Sequence, residues 1–315
     1  MVVEPIDDKS HAGKDQRMMT DEIMDYPDAI DADIDALADT KPEVALDKTV
    51  VENVQISAPV LKVAQRSDVG VIRNRNEDSC LVFSSESGGH FPLLPFGLYL
   101  VADGMGGHES GHLASKIASR TATSHILKEI YIPLLTNDAP PDDDLIEKTM
   151  RDAVQIAHKA IYNPDPTKDG GTTLTVALLL DQELYLAHVG DSRAYWLVDG
   201  TLEAITNDHS LVQRLQDEGQ LTAAEAEHYQ YRNVLLRALG QEDDLDVDTY
   251  KRSLPREGKL LLCSDGLCGL VPGSKLQQIM NRPTSPHEIT EQLIAAAIEA
   301  GGYDNITAIV VDFRF

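Results

Sequence analysis

The sequence predicts an α+β fold in which antiparallel sheets are covered by helices. Residues 172–206 alternate β-rich runs with the turn signals DQE, GDS and DGT, which is the pattern of an antiparallel meander. Helical patterns come in pairs between blocks of strands, and this arrangement disfavours a parallel sheet of βαβ units. At 315 residues and 42% hydrophobic composition, the chain is long enough for one large domain or two small ones.

The first half of the chain is predicted to contain three strands and two helices. Apolar and β-branched residues favour strands at 61–73, 79–85 and 97–103. After a glycine-rich turn, apolar residues recur at helical spacing over 114–131. Beyond a loop rich in Pro and Asp they do so again over 144–162.

The second half continues from the meander with further helices and two buried strands. Residues 208–240 are predicted to form short polar helices and a loop. Continuous apolar runs predict strands at 259–267 and 306–313, and helical spacing predicts a pair of helices at 274–282 and 285–301 between them.

The N-terminal segment differs in composition from the rest of the chain. Residues 1–60 carry 15 acidic and 5 basic residues and few aromatic ones. Such a segment buries too little apolar surface to offset the entropy of ordering, so we predict a disordered acidic extension before a domain at 61–315. Ile30, Ile34 and Leu37 share a helical face and could form a short helix on a partner, although a solvated tail is the simpler interpretation.

Composition also excludes several classes of protein. A net charge of −25 and a pI near 4.6 argue against nucleic acid as a partner. No apolar run is long enough for a membrane span, and no signal-peptide pattern begins the sequence. Cys80, Cys263 and Cys268 lack disulfide or zinc spacing and favour a reducing compartment. We therefore expect a cytoplasmic protein, and a monomer.

Carboxylates recur where predicted strands end or begin. Asp103-Gly104 and Asp265-Gly266 follow apolar strands, and Asp304 precedes the last one. Carboxylates gathered at one rim repel one another unless a cation neutralises them. The full set of acidic candidates is Glu77, Asp78, Asp103, Asp191, Asp265 and Asp304.

Oxygen ligands without His or Cys favour Mg²⁺ or Mn²⁺ over zinc. Two such ions sharing a carboxylate would activate a bridging water and bind a phosphoryl oxygen, which is a route to phosphoester hydrolysis. Arg73 lies four residues before Glu77 and could grip the phosphate with two hydrogen bonds. Taken singly, an Asp-Gly pair is more often a plain turn, and a lone arginine a solvated surface charge.

Seven motifs make the combination specific. They occur in the order RNRNED, VADGMGGHESG, GGTTLTVALL, HVGDSRAYWL, NDHSLVQRL, LLCSDGL and GGYDNITAIVV. Their order resembles that of the metal-dependent (type 2C) Ser/Thr protein phosphatases, most closely the bacterial branch, over residues 61–315. The resemblance implies a four-layer α-β-β-α sandwich with two antiparallel sheets flanked by helix pairs. It also implies hydrolysis of phosphoserine and phosphothreonine in proteins by a metal-activated water at a binuclear Mg²⁺/Mn²⁺ centre.

The resemblance assigns roles to the candidate residues. It implies that Asp103 bridges two catalytic metals and that the Gly104 carbonyl is a further ligand. Asp265 and Asp304 resemble the other direct ligands. The remaining matches are Glu77 and Asp78, which would bind through metal-bound water, Arg73, which would bind phosphate, and Asp191, which with Asp265 would hold a weaker third metal. Residues 208–240 match the flap beside the active site.

The chain departs from the wider family at two positions. Met105 stands where eukaryotic members have a histidine thought to protonate the leaving group, so the general acid is not assigned. A metal-bound water or His108 could serve. His112 stands where relatives have Glu, and we interpret it as a residue of the helix start. His209 and Ser210, beside Asp208, do not form a nucleophilic triad by themselves.

Three hypotheses follow from these residues. The leading one is a phosphatase of phosphorylated proteins that counteracts a Ser/Thr kinase in bacterial signalling. The alternative is an inactive relative that only binds phosphoproteins. In a third version, the acidic extension recruits substrates or inhibits the enzyme.

Overall fold

The structure is a computed structural model that describes residues 59–86, 93–106, 110–136, 140–162, 170–226, 229–241 and 243–315. Nearly all of the predicted acidic extension, with its candidate helix at Ile30–Leu37, lies outside the described residues, as does His108. No helix in the described ranges has both the length and the apolar character needed to cross a membrane.

Two five-stranded sheets form the centre of the fold, and every strand pair in them is antiparallel. The first sheet has the order β1-β12-β11-β8-β9 and the second β10-β7-β6-β3-β2, while β4 and β5 form a separate two-stranded ribbon. The strands are β1 Val60–Asp68, β2 Ser79–Ser85, β3 Phe96–Ala102, β4 Gly104–Gly106, β5 Gly170–Thr172, β6 Leu174–Leu180, β7 Glu183–Val189, β8 Arg193–Val198, β9 Thr201–Ala204, β10 Asp248–Ser253, β11 Glu257–Cys263 and β12 Ile306–Arg314.

Helices cover the outer face of each sheet. The pair α1 and α3 covers the second sheet, and α7 and α8 cover the first. Asp142 caps α3 through the Leu145 amide, and Ser285 and Glu288 form a capping box on α8. The helices are α1 Ser110–Ile126, α2 Ile132–Leu134, α3 Asp143–Ile161, α4 Leu211–Asp217, α5 Ala223–Ala226, α6 Asp265–Cys268, α7 Gly273–Met280 and α8 Pro286–Glu299, with a π-helical turn at Leu127–Tyr131.

Strand β3 shows how the layers are packed. All seven of its residues are buried, and they alternate between two hydrophobic cores. Leu98 and Leu100 lie in the core against the helices, whereas Tyr99 and Val101 lie in the core between the sheets. A third core lies between the first sheet and its helices. The predicted four-layer α-β-β-α sandwich is thereby confirmed.

Some predicted boundaries were wrong. Strand β1 ends at Asp68 instead of continuing to residue 73, because Gly70 adopts a φ of +76° and turns the chain. Strand β11 ends at Cys263, since Asp265 already begins α6. Strand β10 was not predicted, because it is a half-exposed strand at the sheet edge with mixed polar residues.

Sheet register brings several connections to one rim of the sandwich. Ser79 pairs with Ala102, so the residues just outside β2 and β3 are neighbours. Cys263 pairs with both Arg193 and Ala308, which gathers the ends of β11, β8 and β12. The sequence-predicted carboxylates all lie in these connections.

Candidate active site

Asp103 lies directly after β3, and the neighbouring threonines fix its backbone. Its amide donates to Thr173 Oγ1 at 2.9 Å, and its carbonyl accepts from Thr172 Oγ1 at 2.8 Å and from the Thr173 amide at 2.8 Å. The motif at 170–173 therefore positions Asp103, a role that the sequence did not indicate.

The buried carboxylates of Asp103 and Asp265 are close enough for each to shift the pKa of the other. Burial raises the pKa of Asp103 well above its usual range, and the charges of Asp78, Asp265 and Asp191 raise it further. Burial also raises the pKa of Asp265, whose Oδ1 is buried and lacks a partner. Arg73 offsets part of the negative charge of this pair, but the pKa values of both carboxyl groups remain raised.

Asp78 lies in the interior beside this pair. Its Oδ2 accepts hydrogen bonds from Ser264 Oγ at 2.8 Å and from Thr307 Oγ1 at 2.6 Å, while its Oδ1 is buried without a partner. Burial raises the pKa of Asp78 to about 7, against the lowering effect of the two hydroxyl groups. Ser264 and Thr307 thus fix the carboxylate, a role that no local sequence pattern indicates.

Asp191, in the turn between β7 and β8, extends the acidic group. Burial raises its pKa well above the usual range, with further contributions from the charges of Asp265 and Asp208. Arg193 opposes this shift only weakly, because its guanidinium is engaged with Asp208 through two hydrogen bonds of 2.7 Å.

Arg73 and Glu77 lie on the loop that follows β1. The Arg73 guanidinium donates to Asp304 Oδ2 at 2.6 Å and is half exposed to solvent. The Glu77 carboxylate lies against Gly111, where its Oε2 would be 2.7 Å from an added Cβ. Of the candidate residues, Arg73 is the one cation of this group, and it is near enough to Glu77 and Asp103 to interact with their charges.

Asn305 holds this loop in place. Its Nδ2 donates to the carbonyls of Val69 at 3.0 Å and Arg75 at 2.9 Å, and its Oδ1 accepts from the Glu77 amide at 2.7 Å. The side chain is buried. Sequence reasoning missed this function, although Asn305 stands beside Asp304 in the last motif.

Gly104 permits a close approach of backbone at the site. A Cβ there would lie 2.3 Å from the Gly111 carbonyl oxygen and 2.6 Å from that of Glu77, so no larger residue fits. The next residue, Met105, has its side chain against Gly171. His112 lies in the first turn of α1, as expected.

A cleft of about 560 Å³ opens beside the carboxylates. Asp191, Asp265 and Asp304 line one side, and the segment at 208–240 supplies Ser210, Gln213, Gln216 and Arg232 to the lining. Asp103, Glu77 and Asp78 do not line this cleft.

His209 and Ser210 have structural contacts. Ser210 Oγ caps α4 by accepting from the Gln213 amide. The His209 ring accepts from the Gly190 amide at 3.2 Å and faces Asp248 at 3.3 Å. Neither side chain joins the other in a nucleophilic pair.

The donor set fits a hard divalent cation. Its side-chain ligands are all carboxylate oxygens. Four of the carboxyl groups have raised pKa values, and Asp78 Oδ1 and Asp265 Oδ1 are buried without partners. In the described part of the chain, no three acidic, His or Cys side chains already surround a single point. Asp304 Oδ2 accepts from Arg73, and the Asp103 and Asp265 carboxylates lie next to each other.

Comparisons with known proteins agree with this chemistry. The Protein phosphatase 2C family matches residues 74–296. The serine/threonine phosphatase stp of Listeria welshimeri is 38% identical over 251 residues, which are 78% of this chain and 94% of that protein. The serine/threonine protein phosphatase PstP of Mycobacterium tuberculosis is 36% identical over 257 residues, 80% of this chain and 45% of that one.

Solved structures give the same result for the fold. The crystal structure of M. tuberculosis PstP covers 81% of this chain and 99% of its own, with a TM-score of 0.68 and 34% identity. A PstP catalytic domain solved in complex with two manganese ions covers 82% of this chain and 100% of its own, with a TM-score of 0.66 and 33% identity. These matches confirm the resemblance and favour an enzyme over an inactive binding module. On both sequence and fold, the chain belongs to the protein phosphatase 2C family of metal-dependent Ser/Thr phosphatases.

Proposed function

We propose that the carboxylate group at the rim holds two catalytic Mn²⁺ or Mg²⁺ ions. The observation that carries the proposal is the burial of the neighbouring Asp103 and Asp265 carboxylates, with Asp265 Oδ1 left without a partner and both pKa values raised although Arg73 is nearby. Asp103 would bridge the ions. The other proposed ligands are Asp265, Asp304, the Gly104 carbonyl and, through water, Glu77 and Asp78. Asp191 with Asp265 would take a weaker third ion.

The chain's own residues would bind and orient the phosphorylated side chain. Bound divalent ions supply charge neutralisation of the phosphoryl group and a lowered pKa for water. The Arg73 guanidinium can donate two hydrogen bonds to phosphate oxygens, and the Asp304 carboxylate at 2.6 Å keeps it at the rim. Asn305 fixes the loop between them, so the arginine is positioned before the substrate arrives.

We further infer which part of the chain acts and where. Residues 61–315 are proposed as the catalytic domain, with a flap at about 208–240 over the cleft, and residues 1–60 as an extension outside it. The natural substrates would be proteins phosphorylated on Ser or Thr by a bacterial kinase, in the cytoplasm. An open cleft of about 560 Å³ beside Asp191 and Asp265 supports a substrate larger than a free phosphate.

The test is the Mn²⁺-dependent hydrolysis of a phosphothreonine peptide. Asp103→Asn and Asp265→Asn should each lower kcat by on the order of 100-fold or more, because each substitution removes an anionic ligand from the cation site. Asp312→Asn, on β12 at a position paired with Lys62, is the matched control and should keep the rate. Full activity in both site variants would contradict the assignment.

A further inference from the structure

Large apolar side chains are exposed beside Arg73. Val71 and Ile72 are each 63% exposed, and Tyr303 is 59% exposed. Ile72 directly precedes Arg73 in the chain, and Tyr303 directly precedes Asp304, the ion-pair partner of that arginine. With the partly exposed Ile298, these side chains form a surface that we call the apolar platform: Val71, Ile72, Ile298 and Tyr303.

Two segments of the platform pack together at Gly302. The Val71 amide donates to the Gly302 carbonyl at 2.8 Å. A Cβ added to Gly302 would lie 2.8 Å from Val71 Cγ2 and 3.4 Å from the Ile298 Cα, so Val71 packs on Gly302 beside Ile298. Asn305 ties both ends of the loop that carries Val71 and Ile72. A surface already ordered loses little entropy when it binds a partner.

We propose that the apolar platform binds an apolar side chain of the phosphoprotein substrate, within two residues of the phosphorylated Ser or Thr. This inference rests on the proposed function and adds a determinant of substrate choice to it. Single exposed apolar residues are ordinary, whereas a contiguous patch marks an interaction site. An extended chain advances about 3.3–3.6 Å per residue, so a side chain two residues away reaches about 7 Å from the phosphorylated one.

Position and charge both favour this occupant. The platform begins one residue from Arg73, and Tyr303 also lines the cleft together with Asp265 and Asp304. The platform thus lies next to the position of a phosphate held by Arg73, within reach of the neighbouring residues of a substrate. The surrounding carboxylates and the net charge of −25 disfavour acidic neighbours, and the side chains of Val71, Ile72 and Ile298 have no polar group, so their own contact with a substrate side chain is apolar.

The experiment compares five phosphothreonine peptides. One has Ser at the four positions −2 to +2 around the phosphothreonine, and each of the others has Leu at one of them. For the wild-type protein with Mn²⁺, we expect at least one Leu peptide to exceed the all-Ser peptide in kcat/KM by about tenfold, the discrimination that a small apolar contact supplies. In Ile72→Ser and Tyr303→Ser, the Leu-to-Ser ratio of kcat/KM should fall from about 10 to between about 1 and 3. Because it is a ratio, any change in rate that is common to all peptides cancels.

Ile132→Ser is the matched control. Ile132 is also exposed, at 53%, and lies about 30 Å along the helix from the site, so the Leu preference should persist. The proposal is overturned if no Leu peptide is preferred, if Ile72→Ser keeps the preference, or if Ile132→Ser loses it. Hydrolysis of p-nitrophenyl phosphate by the wild-type protein distinguishes failure of the proposed function from failure of the platform proposal. No hydrolysis would overturn the proposed function itself. Hydrolysis without a Leu preference would overturn the platform alone.

Discussion

Two groups of carboxylates meet near Gly190, which precedes Asp191 of one group and donates to His209 of the other, and their charges are balanced in different ways. In the catalytic group, Asp103 and Asp265 contact each other, and their pKa values are raised. In the second group, which we call the flap neck, Asp208 and Asp248 contact cations. The members of the flap neck are Asp208, Asp248, Arg193, Arg237, His188 and His209.

The flap neck neutralises its own charge. Arg193 holds Asp208 with two hydrogen bonds of 2.7 Å. Arg237 donates to Asp248 at 3.0 Å, and although burial raises the pKa of Asp248, contacts with His209 and Arg237 leave it below its usual value. Buried charge that is paired belongs to the structure, whereas buried charge without a protein partner indicates a ligand of opposite sign. The difference between the two groups is the physical reason to expect a cation at one and not at the other.

Beyond the metal-ligand variants, the largest expected effect is at Arg73, the cation of the catalytic group. Arg73→Ala should lower kcat/KM for a phosphopeptide by about 100-fold, because two charge-assisted hydrogen bonds to the phosphate are lost. Steady-state kinetics with Mn²⁺ measure this. Arg66→Ala is the matched control, since Arg66 forms a similar exposed ion pair with Glu291 at 2.9 Å. A loss of less than twofold in Arg73→Ala would show that the arginine does not bind phosphate.

A smaller effect, on the free energy of unfolding, should have opposite signs for a substitution in each of the two groups. In chelator at pH 8, Asp103→Asn should raise the free energy of unfolding by about 1–2 kcal/mol, because it removes a buried negative charge beside Asp265, Asp78 and Asp191. Asp248→Asn should lower it by about 1–2 kcal/mol, because the hydrogen bonds with Arg237 and His209 lose their charged acceptor. Urea unfolding measures both values. The same sign for both variants would contradict the contrast between the groups.

The smallest effect concerns pH and His188. Burial, together with the smaller effect of the nearby His209, lowers the pKa of His188 to about 3. Its ring contacts Thr175 Oγ1 at 2.9 Å and the Asn207 carbonyl at 3.0 Å. In the unfolded chain His188 takes up a proton near pH 6.5, whereas in the folded chain it does not. The contribution of neutral His188 to the free energy of unfolding is therefore fully present above pH 6.5 and is lost as the pH falls below it.

For His188, the expected slope is about 1 kcal/mol per pH unit below pH 6. Urea unfolding at pH 6 and pH 5 should show this loss in the wild-type protein and a smaller one in His188→Gln. His287→Gln, at an exposed position on α8, should behave as the wild type. Equal slopes in the wild type and His188→Gln would mean that His188 is protonated in the folded chain.

The sequence predicted the strands and helices that have clear apolar periodicity, and the family motifs predicted the layers. It did not predict the partners that position the site. Asn305 contacts Val69 across 236 positions, and Thr307 donates to Asp78 across 229. Contacts of this range depend on the register of β1, β11 and β12, which a local pattern does not contain. The flap neck was missed for the same reason, since Asp248 lies on the unpredicted strand β10.

Calorimetric titration of the metal-free protein with Mn²⁺ tests the cation site most directly. The wild-type protein and Asp248→Asn should bind the ion with similar affinity, because the flap neck is balanced without it. Asp103→Asn should bind it at least tenfold more weakly, since one charged oxygen ligand is lost. Unchanged Mn²⁺ affinity in Asp103→Asn, or an equal loss in Asp248→Asn, would contradict the placement of the metal site at the unbalanced carboxylates.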